Sequence, residues 1–432
     1  MNVPSTTEIH LGLEGCGCPD HYFFDEGKLI HALEEAVVNS GLKVVRTCGH
    51  RFGEGGVTGV VLLAESHVNA HAWPECGKYM AIDISVCNYS GDNSSKTLKC
   101  ASELIRIFKP EKVRQNIDFT QNMTEKEYLS EGFGFFYDRK NILKEKKTPY
   151  QKLEIFENQF LGRTLKLDNY LQTSEKDEFL YHEPIAHVPL LAHPSPSSVL
   201  IIGGGDGGTA AQVLKHKCVK KCVLVDIDED VINLSRELLP GVHKNVFDDK
   251  RLEVRPGDGL SFLKDGDFEK SFDAVILDLS DPTGAAGALY EKEFYSSCAG
   301  ALKKGGVFAL HTEYPFYYPE MHGRIVGTLE NVFCFVRPFY NHVPTYGAVM
   351  GFAVCSDAFD AASLSGETVE CRITEREVSG LKFINGETFF SVMAQPAYVK
   401  EIYKSEKNII TSGNPLGDID GAFNNNRPVL AD

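Results

Sequence analysis

The first third of the chain combines two hydrophobic patterns. Apolar residues recur at helical spacing over residues 25–40 and 96–108. Runs of apolar and β-branched residues, or their alternation with polar ones, mark residues 42–47, 57–64 and 80–87. A helix with one apolar face and a strand with alternating burial explain these patterns. We therefore expect an α+β sandwich in which two helices cover one face of an antiparallel sheet.

From residue 197 onward, strands of the buried type alternate with helical segments. The strands are predicted at residues 199–202, 222–227, 252–255, 273–279 and 306–311, and the helices at 209–216, 229–239 and 291–302. This alternation with short links predicts an α/β, Rossmann-like domain with a doubly wound, mostly parallel sheet. Ahead of it, short alternating segments over residues 132–173 predict a small β-rich lead-in.

Changes in composition indicate where the domains divide. Residues 110–126 are polar and interrupt the first pattern, so we place a boundary near residue 118. Residues after 402 are rich in Asn, Gly, Asp and Pro, which is typical of a flexible tail. The predicted domains are 1–118, then 119–402 with its β-rich lead-in (119–175) and Rossmann-like part (176–402), and the tail 403–432.

Composition also narrows the function classes. The formal net charge of −16 argues against general nucleic-acid binding, which needs a basic surface. No run of about 18 apolar residues is present, so no membrane span is expected. Residues 1–15 lack the pattern of a secretory signal. The 12 cysteines lack the paired spacing of a metal site, which predicts reduced thiols in a cytoplasmic protein and no metal.

A polar stretch between two predicted strands carries candidate chemistry. Ser66 is followed five residues later by His71, and the next predicted strand ends at Cys87. These three side chains could converge at one edge of the sheet. On spacing alone, a polar turn that happens to hold Ser and His is the simpler interpretation, since such pairs are common.

The surrounding motifs resemble the self-cleavage site of the bacterial and archaeal S-adenosylmethionine decarboxylase proenzymes. The resemblance rests on Glu65-Ser66-His67, on His71-Ala72-Trp73-Pro74-Glu75 and on the segment 81–87, and it extends in order over residues 5–110. It implies that the Ser66 hydroxyl attacks the Glu65 carbonyl. The chain then breaks between the two residues and leaves a pyruvoyl group at position 66, which forms a Schiff base with a substrate amine and serves as an electron sink for decarboxylation.

The same resemblance implies further roles in the first domain. His71 and the Thr58 hydroxyl would assist self-cleavage, Cys87 would donate the proton during decarboxylation, and Glu75 would hold a ribose. The family usually has Ser where Thr58 stands, and Ser or Thr where Asn69 and Ala72 stand. Two alternatives therefore stay open: pyruvoyl-dependent decarboxylation of ornithine or arginine, and a non-catalytic regulatory module.

A second set of residues follows the predicted strands of the Rossmann-like domain. The glycine-rich turn 203–208 lies between a strand and a helix, and Asp226 ends the next strand. Asp258, Asp278 and Asp281 follow later strands. The carboxyl ends of parallel strands bind ligands, and this layout suits a nucleoside whose ribose hydroxyls donate to a carboxylate. Spacing alone does not choose between a dinucleotide and an S-adenosyl ligand.

Residues 125–402 resemble spermidine synthase, an aminopropyltransferase. The specific motifs are Tyr181-His182-Glu183, the glycine-rich turn, Asp278-Leu279-Ser280-Asp281-Pro282 and Pro344-Thr345-Tyr346. The resemblance implies aminopropyl transfer from decarboxylated S-adenosylmethionine to putrescine, which yields spermidine and methylthioadenosine. Members of both families commonly form oligomers, so a homo-oligomer is expected.

The resemblance also assigns roles. Asp278 would orient and deprotonate the attacking amine, because an amine with a pKa near 10 is almost fully protonated at neutral pH. The other implied roles are ammonium binding by Asp206 and Asp281, a diamine channel lined by Tyr181 and Tyr346, and nucleoside binding by Gln151, His182, Asp226 and Asp258. His311 departs from the Gln that is common in the family. The two halves together imply a bifunctional enzyme of polyamine biosynthesis.

Overall fold

The computed structural model describes residues 6–16, 20–53, 55–88, 93–119, 123–130, 132–265, 268–280, 282, 284–405 and 408–416. The chain forms two compact units, Met1–Met123 and Thr124–Asp432. No helix in the described ranges is both long and apolar enough to cross a bilayer.

The first unit is built around one sheet. Its elements in chain order are β1 (Thr6–Cys16), α1 (His21–Phe24), α2 (Glu26–Ser40), β2 (Val44–Arg51), β3 (Val57–Leu63), β4 (Ser66–Trp73), β5 (Tyr79–Cys87), α3 (Ser94–Phe108) and β6 (Pro110–Phe119). The sheet order is β2-β3-β4-β5-β1-β6, and all neighbouring strands are antiparallel.

One face of this sheet carries the core. Alternate residues of β5, which include Ile82 and Ile84, are buried in the same cluster as Leu33 of α2 and Leu104 of α3. The two helices therefore cover one face, which follows from the period of two in the strands. We call the opposite face, which carries His71 and Asp83, the outer face; its residues are partly exposed.

The structure contains strands that the sequence pattern did not predict. The stretch interpreted as a polar turn is β4, in which buried Val68 and Ala70 alternate with the half-buried residues of the outer face. The polar segment after residue 110 begins with β6, which is the last strand of the sheet. An edge strand with polar side chains lacks the hydrophobic alternation on which the prediction depended.

The second unit begins with small sheets. Strands β7 (Met123–Ser130) and β8 (Phe133–Arg139) pair with each other. A second sheet has the order β12-β11-β10-β9, formed by β9 (Asn141–Lys147), β10 (Lys152–Asn158), β11 (Gly162–Leu167) and β12 (Tyr170–Ser174). These strands occupy the region expected to be a β-rich lead-in.

A seven-stranded sheet follows, with the order β15-β14-β13-β16-β17-β19-β18. The first five strands in this order are parallel to one another. The sixth, β19, is antiparallel to β17, and β18 is antiparallel to β19. The strands are β13 (Ser198–Gly203), β14 (Lys221–Asp226), β15 (Leu252–Pro256), β16 (Phe272–Asp278), β17 (Leu302–His311), β18 (Phe335–Val343) and β19 (Ala348–Ser356).

Helices lie on both faces of this sheet. They are α4 (Phe179–Ala192), α5 (Gly208–Val213), α6 (Glu229–Leu238), α7 (Pro240–His243), α8 (Gly259–Asp265), α9 (Lys292–Ala301), α10 (Pro319–Glu330), α11 (Gly366–Glu375), α12 (Thr388–Ser391) and α13 (Ala397–Ser405). Val199 and Ile201 of β13 belong to one core, whereas Leu200 and Ile202 belong to another. Strand order reverses at β13, between β14 and β16, which places a crevice at the carboxyl ends of these strands.

The expected flexible tail is wrong for part of its length. Helix α13 runs to Ser405, and Ile410 is fully buried in the core that also contains Leu200 and Ile202. The Ile410 N–H donates to Thr328 Oγ1 at 2.9 Å, and the Lys292 N–H donates to the Ile410 carbonyl at 3.0 Å. The buried side chains of Ile410 and Leu416, together with hydrogen bonds to α10 and to Lys292 of α9, thus fix a segment whose composition resembles a linker. Residues 417–432 lie outside the described residues.

Candidate active sites

The first candidate site lies at the turn between β3 and β4. Ser66 pairs with Leu63 on β3 and with Val86 on β5, so the turn is tight. Ser66 has a φ of 112°, a region that residues with a side chain rarely adopt. Such strain costs of order 1–3 kcal/mol and persists only where surrounding contacts hold it. The strained residue is the one that sequence motifs place after the bond to be cleaved.

Hydrogen bonds fix Glu65, on the other side of that bond. The Cys87 N–H donates to the Glu65 carbonyl oxygen at 2.9 Å. The Asn93 Nδ2 group donates to Glu65 Oε2 at 3.1 Å and to the Cys87 carbonyl at 3.2 Å. The structure thus brings Glu65, Ser66 and Cys87 together. Asn93 was not identified from the sequence, because it belongs to none of the motifs named above.

The Thr58 and His71 pair lies elsewhere on the sheet. Thr58 Oγ1 and His71 Nδ1 are 2.9 Å apart on directly paired positions of β3 and β4. His71 is five residues along β4 from Ser66, which corresponds to about 16 Å at about 3.3 Å per residue. The expected convergence of Ser66, His71 and Cys87 at one sheet edge is therefore wrong within a single chain. Glu75 is exposed in the 3₁₀ turn Pro74–Cys76, beyond the far end of β4.

The second candidate site is a cavity of about 680 Å³ at the carboxyl ends of β13, β14 and β16. The sheet topology predicts a ligand at this position. The residues from the sequence analysis that line the cavity are Gln151, Tyr181, His182, Asp206, Asp226, Asp258, Asp278 and Tyr346. Asp281 lies outside the described residues.

The glycine-rich turn brings backbone close to two of these carboxylates. Gly203 has a φ of 83°, and a Cβ there would lie 2.0 Å from the Asp278 carbonyl oxygen. A Cβ on Gly205 would lie 2.7 Å from Asp226 Oδ2, to which the Gly205 N–H donates at 2.8 Å. A side chain at Gly203 would push β13 away from β16, and one at Gly205 would displace the Asp226 carboxylate.

Asp226 is a buried acceptor at the end of β14. Its Oδ1 accepts from the Asp228 N–H at 2.9 Å, in addition to the bond from Gly205. Burial raises the pKa of Asp226 to about 6, despite these two bonds and with help from the charges of Asp228 and Asp206. Asp228, which sequence reasoning missed, also accepts from Gln151 Nε2 at 3.0 Å.

Asp258 lies at the start of α8. It accepts from the Ser261 hydroxyl at 2.8 Å and from the Ser261 N–H at 3.0 Å. Burial opposes ionisation, but these bonds outweigh it and lower the pKa of Asp258. A fixed carboxylate at this helix start remains ionised and borders the same cavity as Asp226.

Asp278, at the end of β16, is held by a tyrosine. The Tyr181 hydroxyl donates to Asp278 Oδ1 at 3.0 Å. The other oxygen, Oδ2, is buried near the Thr209 hydroxyl without a hydrogen bond of ordinary geometry among the described residues. Burial and the nearby charge of Asp206 raise the pKa of Asp278. A carboxylate with a raised pKa and a spare oxygen is suited to accept a proton from a ligand.

His182 lies between two carboxylates. Its Nδ1 is 3.2 Å from Glu178 Oε2, and its Nε2 is 3.7 Å from Asp206 Oδ2. Burial alone would lower the pKa of His182, but Asp206 and Glu178 together raise it well above its usual range. The charged imidazole in turn lowers the pKa of both carboxylates against their burial. Glu178 was missed, although its spacing of four residues from His182 is one at which side chains on a helix meet.

Three groups have the spacing of a cation site. The ligand atoms of His182, Asp206 and Asp278 lie within 4.8 Å of one another. A metal needs neutral imidazole, whereas the carboxylates favour the charged form of His182. Carboxylates around a buried space equally suit an ammonium group, which carries its own donors.

Two further acidic residues, Asp177 and Glu183, fix backbone segments next to the site. Asp177 accepts from the Thr345 N–H at 2.7 Å and from the Thr345 hydroxyl at 2.6 Å, which fixes the turn before Tyr346. Glu183 accepts from three backbone N–H groups of residues 382–384 at 2.8 to 3.0 Å. Both carboxylates position backbone, and neither borders the cavity.

His311 connects to the loop after Asp278. Its Nε2 is 2.8 Å from the Tyr290 hydroxyl, which donates to the Ser280 carbonyl at 3.1 Å. Burial lowers the pKa of His311 to about 4, so the imidazole is neutral at pH 7. The residue that departs from the family pattern thus supports the loop that follows the predicted base.

Family models match three successive parts of the chain. Residues 9–117 match S-adenosylmethionine decarboxylase, residues 123–175 match the spermidine synthase tetramerisation domain, and residues 178–364 match the spermine/spermidine synthase domain. Both resemblances inferred from the sequence motifs are thereby confirmed, in the order in which they were inferred.

Individual relatives agree with these matches. The polyamine aminopropyltransferase of Nitrosomonas europaea is 40% identical over 293 residues, which is 68% of this chain and 90% of that protein. The polyamine aminopropyltransferase of Clostridium tetani is 44% identical over 210 residues, 49% of this chain and 74% of that protein.

Solved structures of spermidine synthase show the same fold. One, in complex with the transition-state analogue AdoDATO, has a TM-score of 0.61 and 34% identity and covers 65% of this chain and 95% of its own. Another, from Thermotoga maritima, has a TM-score of 0.59 and 33% identity and covers 65% and 94%. The chain therefore belongs to the spermidine synthase family of polyamine aminopropyltransferases and carries an S-adenosylmethionine decarboxylase domain ahead of it in the same polypeptide.

Proposed function

We propose that this chain decarboxylates S-adenosylmethionine in its first unit and transfers the resulting aminopropyl group to putrescine in its second. The observation that supports the transferase most is the Asp278–Tyr181 pair at the wall of a cavity that also contains Asp226 and Asp258. One end of this cavity suits ribose hydroxyls and the other suits ammonium groups. Spermidine and methylthioadenosine are the products.

The transfer step is a displacement at carbon. The diamine nitrogen forms a bond to the aminopropyl carbon, the carbon–sulfur bond of the sulfonium breaks, and methylthioadenosine leaves neutral. Asp278 Oδ2 takes the proton that the attacking ammonium must lose, while Tyr181 holds Oδ1. Asp206, kept ionised by His182, offers its charge to the cationic substrates. Asp281 and Tyr346 belong to the same diamine-binding proposal.

Self-cleavage prepares the first unit. The Ser66 hydroxyl attacks the Glu65 carbonyl carbon, the amide becomes an ester, and elimination across Cα and Cβ of residue 66 frees a chain that ends at Glu65. The strained φ of Ser66 and the Cys87 N–H on the Glu65 oxygen support this proposal. An amide donor on that oxygen stabilises the negative charge that develops during attack.

The elimination leaves a dehydroalanine at residue 66. Its imine tautomer is hydrolysed by water with release of ammonia, so residue 66 would then carry the pyruvoyl cofactor. A pyruvoyl group supplies an electron sink for the loss of carbon dioxide from an amino-acid substrate. Cys87 lies at the end of the strand paired with Ser66, where its thiol can return a proton to the product. Glu75 remains the proposed ribose ligand, although it is not next to Ser66 within one chain.

A homo-oligomer is part of the proposal. Residues 123–175 match a tetramerisation domain. In addition, the Thr58–His71 pair is about 16 Å from Ser66 along β4, so it acts on Ser66 only when a second copy supplies it. The partly exposed outer face, which carries His71, is the surface available to that copy.

One assay tests the two activities together. Purified protein supplied with S-adenosylmethionine and putrescine is expected to release carbon dioxide and to form spermidine and methylthioadenosine. Decarboxylated S-adenosylmethionine with putrescine should support the second step alone. Carbon dioxide release from ornithine or arginine but not from S-adenosylmethionine would replace the decarboxylase proposal and leave the transferase proposal intact.

Asp226 gives nucleoside binding a pH dependence. Because burial raises its pKa to about 6, Asp226 becomes protonated as pH falls below 6 and accepts ribose hydroxyls less well. We expect the Kd of methylthioadenosine to rise roughly tenfold per pH unit below the pKa, as measured by titration calorimetry. Without ligand the sign is opposite: the folded state binds this proton more tightly, so the free energy of unfolding falls as pH rises from about 4 to about 6.

The matched control is Asp226→Asn, which cannot titrate. Its methylthioadenosine binding is expected to be weaker at every pH and nearly flat across the same range. A wild-type Kd that does not change between about pH 5 and pH 7 would contradict the assignment of Asp226 as the ribose acceptor.

A further inference from the structure

Asn93 occupies the N-cap position of α3, yet its side chain does not cap the helix. The Asn93 carbonyl oxygen accepts the Thr97 N–H at 2.9 Å, as the first bond of the helix requires. An Asn at this position normally turns its side-chain oxygen toward the backbone N–H groups of the first turn. Here the side chain is committed elsewhere, and it is only 7% exposed.

Every side-chain polar atom of Asn93 has a partner. Nδ2 donates to Glu65 Oε2 at 3.1 Å and to the Cys87 carbonyl at 3.2 Å, and Oδ1 accepts from Lys96 Nζ at 2.9 Å. The Asn93 N–H also donates to Asn88 Oδ1 at 2.8 Å, which fixes the residue from the other side. One amide thus joins the residue before the scissile bond to the residue that ends β5.

We propose that Asn93 is a positioning residue for self-cleavage: its amide holds the Glu65 side chain and the Cys87 backbone in one frame, so that the Cys87 N–H stays on the Glu65 carbonyl while Ser66 attacks. The inference rests on the proposed self-cleavage between Glu65 and Ser66. Attack needs the carbonyl carbon and its donor to stay fixed, because small displacements of reacting groups cost large factors in rate.

The residue type supports this role. The side chain at position 93 donates to two acceptors, Glu65 Oε2 and the Cys87 carbonyl, and accepts from the Lys96 ammonium. A primary amide makes all three contacts, because it has an NH2 donor group and a carbonyl acceptor. Asp is as good an N-cap as Asn, but it donates nothing and would place a second carboxylate against Glu65. Substitution with Asp therefore separates a helix-capping role from a positioning role.

The test measures the rate of self-cleavage by intact mass after synthesis of the full chain. Asn93→Asp and Asn93→Ala are each expected to slow cleavage by about tenfold or more, as for the loss of a hydrogen bond to a charged group. Glu65→Ala, which removes the other end of the contact, is expected to slow it by a similar factor. The double variant Glu65→Ala/Asn93→Ala should be no slower than the slower single variant, because both remove the same interaction.

A matched control is Asn39→Ala on α2, which removes another Asn-to-carboxylate contact, from Asn39 Nδ2 to Glu103 Oε2 at 3.4 Å, in the same unit. It is expected to cleave at the wild-type rate. The fluorescence of Trp73, the single tryptophan of the chain, reports folding of the first unit. The thermal unfolding transition measured by this fluorescence should be the same in Asn93→Asp as in the wild type.

The outcomes are distinct. The positioning role would be overturned if Asn93→Asp were cleaved at the wild-type rate, or if the double variant were slowed by the product of the two single-variant factors. Neither result would contradict the self-cleavage proposal. A wild-type chain that stays uncleaved would remove both the self-cleavage proposal and this inference. Slow cleavage in Asn93→Asp with an unchanged thermal transition supports the role that we assign.

Discussion

Replacement of Ser66 by alanine is expected to leave the protein as one uncleaved chain of about 47.8 kDa. The wild type should separate under denaturing conditions into residues 1–65 and 66–432, the larger fragment with an N-terminal pyruvoyl group. Ser66→Ala removes the hydroxyl that attacks the Glu65 carbonyl, so both cleavage and carbon dioxide release should be lost completely. Aminopropyl transfer from decarboxylated S-adenosylmethionine should persist, because no residue of the second cavity changes.

Ser102→Ala is the control for this substitution. Ser102 lies on α3 and is exposed, and its hydroxyl donates to the Leu98 carbonyl of the same helix at 3.0 Å, so the loss of this hydroxyl should leave cleavage unchanged. Intact mass spectrometry measures both variants. Cleavage that continues in Ser66→Ala, or a wild type that decarboxylates S-adenosylmethionine without being cleaved, would contradict the pyruvoyl proposal.

Co-expression extends the experiment to the oligomer. If the Thr58–His71 pair of one copy serves Ser66 of another, His71→Ala chains should be cleaved when they assemble with Ser66→Ala chains, which still supply His71. His71→Ala chains alone should be cleaved slowly. Equal cleavage in the two cases would show that His71 does not act across copies and would leave the separation of about 16 Å unexplained.

Strong hydrophobic period made part of this fold predictable. The helices α2 and α3 and the strand β13 each bury mostly apolar residues at a regular spacing, and each was expected close to its observed position. β4 was missed because two of its three buried residues, Ala70 and Ala72, are small and because its outer positions are polar; Val68 is the third. The packed segment 408–416 was missed because its two buried apolar side chains, Ile410 and Leu416, are too few to define a period.

The two sites differ in how far the sequence could define them. In the second unit, the carboxyl ends of parallel strands must share one edge, so Asp226, Asp278 and the glycine-rich turn were expected to meet, and they do. In the antiparallel first unit, no such rule applies, and position along β4 separated His71 from Ser66. The partners Asp228 and Asn93 depend on tertiary contacts, with Gln151 and Glu65 respectively, that no local pattern encodes.

Replacement of Asp278 by asparagine is expected to lower kcat for aminopropyl transfer by about 10²- to 10⁴-fold, which is the usual contribution of a general base. Asparagine keeps an oxygen for the Tyr181 hydroxyl and a similar volume, so the cavity should keep its shape. The Kd of methylthioadenosine should change little, because Asp226 and Asp258 are untouched. Steady-state kinetics and calorimetry on the same preparation measure the two effects.

Asp226→Asn is the matched comparison, since it changes another buried Asp of the same cavity in the same way. It should weaken nucleoside binding more than it slows turnover of bound substrate, the reverse of Asp278→Asn. The pH profile adds a second criterion. Burial raises the pKa of Asp278, so wild-type kcat should decline as pH falls through that raised pKa, and Asp278→Asn should lack this decline. Full turnover in Asp278→Asn, or an unchanged acid limb, would transfer the role of base to another group.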